Sequence, residues 1–262
     1  YEITTRLVGS EMCIRDRQET CDAIRGRSHE IEQHIIDNWN AGSSVEQYGR
    51  LVNVVAQYGA ATNQEHLTVP KPCMIIASAD HGVADMGVSA YPKETTVGMT
   101  QNYLIPKGAG ANSLANYCGA QMEVIDMGID ADMSWVPGLR SHKLGMGTKN
   151  FVEEPAMTRE QAIEGIETGI RLVKEKIDEG FNVFLVGEMG ISNTTASALM
   201  TAKFAGLTAE EATGRGTNIS DERLKLKQRI VHDVLEKYKN IPKDDAIGIL
   251  SSCLLYTSPS PR

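Results

Sequence analysis

Short apolar runs alternate with longer segments of helical period along this chain, which is the pattern of a βαβ series. Cys73 to Ala77, Met122 to Met127 and Asn182 to Val186 are brief, nearly continuous apolar runs that end beside Gly, Ser or Asp, as buried parallel strands do. Helical patterns fill Tyr48 to Ala61, Thr95 to Cys118, Arg159 to Glu179, Thr194 to Ala205 and Asp221 to Tyr238. Pro106, Gly108 and Gly110 divide the second of these into two pieces. In Arg159 to Glu179, Ile163, Ile166, Ile170, Val173 and Ile177 recur at steps of three and four, which predicts a core-facing stripe. Open parallel sheets bind ligands beyond the carboxyl ends of their strands, where the winding reverses. Chemistry is therefore expected in the loops after the three apolar runs.

Composition narrows the class. With 262 residues, 41% hydrophobic and 23% charged, the chain has the mix of a globular protein with a sizeable core. Lys plus Arg number 26 against 34 Asp plus Glu, a net charge of −8 that ill suits a nucleic-acid partner. The sequence has no apolar run near the ~20 residues of a membrane helix and no signal peptide, so a cytoplasmic protein without a membrane partner is expected. The five cysteines form no CxxC pair and no Cys/His set at metal spacing, so neither a metal nor a disulfide frame is expected.

The first loop of interest is Gly187-Glu188-Met189-Gly190-Ile191-Ser192-Asn193-Thr194-Thr195, running from a strand into a helix. Its glycines admit a ligand close to the main chain, and the free N–H groups of a helix start attract a phosphate. Glu188 could hold a ribose hydroxyl pair, whereas Asn193 and Thr194 fit an N-cap as well as a site. The loop matches neither the Walker nor the dinucleotide fingerprint. A second glycine loop, Thr213-Gly214-Arg215-Gly216-Thr217-Asn218, precedes the helix carrying Lys227, and reads either as a phosphate seat or as a turn before a solvated helix. After the first strand come Ser78-Ala79-Asp80-His81-Gly82 and then Tyr91-Pro92-Lys93. Asp80 beside His81 reads as an acid/base couple, as half of a metal site, or as a backbone brace beside a packed imidazole. Tyr91 offers an aromatic face to a flat heterocycle. Gly98, farther into the next helix, invites close approach by a neighbour, and Met99 fits either pocket or core.

In order, ADHGVADMGVSAYPKETT, GAGANSLANYCGAQMEVIDMGID, GEMGISNTTASAL and ATGRGT followed by the Lys227 helix resemble the nicotinate-nucleotide-dimethylbenzimidazole phosphoribosyltransferase family of cobalamin lower-ligand synthesis. The resemblance runs roughly from Gly49 to Tyr238. It implies a three-layer α/β/α domain with a parallel Rossmann-like sheet, a small helical part, and a homodimer at full length. It also implies a glycosyltransferase that needs no cofactor and whose partners are nicotinate mononucleotide and a benzimidazole base. By the same resemblance Glu188, Gly190, Asn193 and Thr194 hold the nucleotide, Gly214, Gly216 and Lys227 lie at its phosphate, and Tyr91, Gly98 and Met99 line the base pocket. Asp80 and His81 complete the set. Gly98 stands where relatives carry glutamine, Ser192 where they carry glycine, and Ser44 to Tyr48 replaces their proline-glycine segment.

Both ends resemble translated adapter DNA, so the sequence divides into flanks at 1–17 and 252–262, an N-terminal helical part at 18–70 and an α/β nucleotide-binding domain at 71–251. The family's catalytic glutamate belongs to a later glycine-rich loop with no counterpart in this sequence. The expectation is an incomplete carboxyl end, no catalytic residue within the chain, and little or no turnover. Two other readings stay open: a noncatalytic nucleotide- or benzimidazole-binding module, and a metal-dependent phosphohydrolase using Asp80, His81 and Glu188.

Overall fold

The computed structural model describes residues 17–42 and 45–253. The chain divides between Pro70 and Lys71 into two compact units. In the first, helix α1 (His29–Gly42) and helix α2 (Arg50–Thr62) form a hairpin. Ile35 of α1 packs at Gly59 of α2, where a Cβ would collide with its Cδ1, so only glycine permits this approach. Helix α2 stops at Asn63, which takes the left-handed conformation and donates its N–H to Gly59 O.

The second unit holds the sheet. Strand β1 (Pro72–Ala79) lies between β2 (Gln121–Gly128) and β4 (Val183–Met189), while the short β3 (Arg140–Ser141) borders β2; all pairings are parallel. The central strand is buried almost throughout, as a continuous apolar run requires. Helices α3 (Thr95–Leu104) and α4 (Gly110–Cys118) connect β1 to β2, and the Pro106 to Gly110 segment separates them as the sequence predicts. Helix α5 (Arg159–Asp178) leads to β4, followed by α6 (Asn193–Ala205), the short α7 (Ala209–Ala212), α8 (Asp221–Lys237) and α9 (Ala246–Cys253). The chain steps from β1 to β2 in one direction, then returns past β1 to β4. The winding therefore reverses between β1 and β4, and their carboxyl ends flank a crevice.

One expectation fails here. The face of α5 turned to the core carries Ala162, Gly165, Gly169, Leu172 and Lys176, whereas Ile177 is 53% exposed and its companion isoleucines are only half-buried. The period holds, but the phase is off by one residue. Small side chains let the helix backbone come close, with Ala162 and Leu172 packing with Ile75, Ala77, Ile125 and Met127 of the sheet. Lys176 lies on this face because its ammonium reaches Glu123 at 2.8 Å. A second core joins Ala196 and Leu199 of α6 to Ile230, Val231 and Val234 of α8. Helix α9 takes in residues 252 and 253 of the expected carboxyl flank, and Ser251 O accepts the Met157 N–H at 2.9 Å. The remainder of that flank, and residues 1–16, lie outside the described residues.

Candidate active site

The loops after β1 and β4 meet across the crevice. Register pairs Ala77 with Glu188, so the residues just beyond β1 arch over the end of β4. His81 Nε2 lies 3.1 Å from Glu188 Oε1, and Asn193 Nδ2 donates to Oε2 of the same carboxylate. Gly190 makes this closure possible: a Cβ there would collide with Ala79 O and would stand 2.5 Å from His81 Nε2 and 2.7 Å from Glu188 Oε1. His81 is 1% exposed, and its backbone is fixed on both sides. Thr148 N donates to Asp80 O at 2.9 Å, Gly82 N donates to Thr148 Oγ1 at 3.2 Å, and Ala84 N donates to His81 O at 3.0 Å.

Asp80 is buried and accepts the Asp130 N–H at 2.8 Å, which makes it a brace between the β1 and β2 loops. Burial raises its pKa; the Asp130 N–H, the neighbouring Thr96 hydroxyl and the Lys93 and His81 charges oppose that rise. Thr96, the last residue of the ADHGVADMGVSAYPKETT segment, ties α3 to the crevice by accepting the Ile191 N–H at 3.1 Å. Tyr103, on the same helix, has its phenol pushed up by burial and by the charge of Glu188. Thr96 lies in a family-like motif without being singled out there, and no motif marks Tyr103.

A second cluster adjoins the first at the start of α6. Lys227 of α8 is 1% exposed and donates to Thr194 Oγ1 at 2.7 Å and to Gly214 O at 3.0 Å. Burial pulls its amine down to about 8, with no carboxylate opposing the shift. An ammonium has three donors, and these two acceptors are neutral. Gly216 adopts φ +68°, and a Cβ there would meet Thr194 Oγ1 at 2.6 Å, so the Gly214 to Gly216 turn can close on α6 only with glycine. The hydroxyls of Ser192, Thr195 and Thr213 are buried without hydrogen-bond partners. Ser192 takes φ 76° as the residue before α6, a conformation that favours glycine, and its side chain caps nothing.

Tyr91 is exposed on a loop tied to the same turn: Ser89 Oγ lies 3.2 Å from Thr217 Oγ1, and Tyr91 N donates to Ser89 Oγ at 3.2 Å. Gly98 and Met99 join the site only through α3. Gly98 is exposed with no atom within 4 Å of where a Cβ would stand, so the expected close approach is absent, while Met99 is half-buried. Thus Asp80, His81, Glu188, Gly190 and Asn193 form one cluster and Thr194, Gly214, Gly216 and Lys227 the next, joined through consecutive residues of α6. Among the described residues, no group of three or more His, Cys, Asp or Glu is disposed to hold a metal ion. No helix there is long and apolar enough to cross a membrane.

The chain is thus a parallel α/β domain whose switch point carries two glycine turns, a helix start and a buried lysine. The chain belongs to the phosphoribosyltransferase family, whose model matches residues 27–253. It is 42% identical over 196 residues to the nicotinate-nucleotide--dimethylbenzimidazole phosphoribosyltransferase of Chloroflexus aggregans, covering 75% of this chain and 55% of that one. The Geobacter sulfurreducens protein of the same name is 42% identical over 205 residues, covering 78% and 58%. The crystal structure of CobT from Thermus thermophilus superposes with a TM-score of 0.78 at 31% identity, over 86% of this chain and 67% of that one. The chain thus spans a little over half the length of these curated relatives.

Proposed function

We propose that this chain carries the nucleotide-binding part of an enzyme that transfers the phosphoribosyl group of nicotinate mononucleotide to 5,6-dimethylbenzimidazole. The products are alpha-ribazole 5'-phosphate and nicotinate. The observation that carries the reading is the Lys227 amine, buried without a carboxylate beside the Gly214 turn and the start of α6. A phosphate supplies the missing counter-charge, accepting from the third ammonium N–H and from backbone donors at the helix start. Glu188, at the adjoining strand end, then accepts the ribose hydroxyls.

The chemistry suits such a cradle. The ring nitrogen of the nucleotide is quaternary, so nicotinate leaves with a neutral pyridine nitrogen and needs no acid. The free nitrogen of the benzimidazole attacks the anomeric carbon with inversion as the glycosidic bond breaks, and the proton on its other nitrogen passes to a base. Holding the two reactants in line supplies much of the rate. No residue of this chain is assigned as that base. The family resemblance adds a homodimer at full length, and we propose a cytoplasmic location beside it.

Titration calorimetry tests the reading: nicotinate mononucleotide binds more tightly than nicotinate riboside, and Lys227→Met abolishes the preference. Equal affinity for both ligands in the unaltered protein would reject it. Release of nicotinate on adding dimethylbenzimidazole to the product of the complete reading frame separates an enzyme from a pure binding module.

A further inference from the structure

We propose that His81 is a positioning residue, which fixes the Glu188 carboxylate as a rigid acceptor for the ribose hydroxyls; this rests on the nucleotide reading above. Three observations converge on it. The imidazole is buried with Nε2 3.1 Å from Glu188 Oε1. The main chain around His81 is pinned by the bonds from Thr148, Gly82 and Ala84, so the ring occupies a fixed place rather than following the glutamate. Gly190 leaves space for the pair that any side chain would fill. Facing a carboxylate, Nε2 carries the proton and donates. With Asn193 Nδ2 on the other oxygen, the carboxylate loses its rotational freedom before substrate arrives, and its remaining lone pairs are left for two vicinal hydroxyls. His81 itself touches no substrate.

The test is a double-mutant cycle read by calorimetry with nicotinate mononucleotide and, separately, inorganic phosphate. His81→Asn draws the donor back from Glu188, while His81→Gln places an amide N–H near the position of Nε2. The expected result is a loss of about tenfold or more in nucleotide affinity for His81→Asn, as for a lost hydrogen bond to a charged group. Recovery to within about threefold is expected for His81→Gln, with unchanged phosphate affinity in both. In a Glu188→Gln background the His81→Asn effect should nearly vanish, because the two residues act as one unit. Nucleotide affinity unchanged by His81→Asn, an equal loss in both backgrounds, or loss of phosphate binding together with the nucleotide would each overturn the assignment. Failure of the unaltered protein to bind the nucleotide would instead overturn the nucleotide reading, and this assignment with it.

Discussion

Lys227 belongs to the second cluster and Ser192 precedes it at the start of α6, and each carries a cost in stability. Burial pulls the Lys227 amine down to about 8 from an ordinary 10.5. The unfolded chain therefore binds more protons than the folded one between those two values, and the contribution of Lys227 to stability rises with pH across that window. Anion binding has the reverse sign, because a phosphate favours the charged amine; affinity for nicotinate mononucleotide should fall as pH rises through about 8. Calorimetry across that pH range checks this, and Lys227→Met should flatten the profile. Ser192 has a left-handed backbone with φ 76° and a buried hydroxyl that meets no partner. A non-glycine residue costs about 1 kcal/mol in that conformation. Ser192→Gly should thus stabilise the protein by about 1 kcal/mol, or roughly 2–4 °C in Tm, in a thermal melt without ligand. The sequence shows Ser192 as a departure from its relatives' glycine, but only the backbone angle explains why glycine belongs there.

At the scale of elements, what the sequence makes legible follows from periodicity, and what it conceals follows from phase. The three long strands and most helices lie near the bounds that sequence predicts, because continuous apolar runs and 3.6-residue steps report local structure directly, whereas the two-residue β3 has no apolar run to announce it. The face of α5 does not follow, since hydrophobicity marks the isoleucines while close packing selects the small residues beside them. The sequence reads the glycines at 190 and 216 as room for a ligand beside the main chain, whereas in the structure neighbouring side chains lie against both backbones, His81 and Glu188 at Gly190 and Thr194 at Gly216. Gly98 carries the same signal without the contact. The contact of Thr96 with Ile191 and the place of Tyr103 cannot be read, although Thr96 closes a recognisable segment, because both depend on how α3 crosses the strand ends. The phase of α5 makes a direct prediction. Leu172→Ala should cost about 2–4 kcal/mol as a buried truncation, whereas Ile177→Gln should stay within about 0.5 kcal/mol, in paired urea titrations. Equal costs would restore the isoleucine stripe as the core face.

As a whole, the α/β unit is asymmetric. One border of the sheet is the short β3, joined to β2 by only two residue pairs, whereas β4 spans Val183–Met189 at the other and pairs only with β1 among the described residues. Leu185 and Val186 of β4 are 39% and 40% exposed, values that set this strand apart from the buried β1 beside it. An apolar edge with unpaired backbone donors and acceptors is a template for another strand. The curated relatives are nearly twice as long as the aligned region. The outcome expected for this polypeptide is self-association through β4. Leu185→Lys places a charge on that strand on the sheet face opposite Glu188, and a lysine there opposes strand pairing by desolvation and by repulsion between copies. Light scattering over a concentration series should show the unaltered protein growing in mass with concentration, and the variant growing much less with its Tm within a few degrees. Identical mass curves for the two would show that the edge of β4 is not where copies meet.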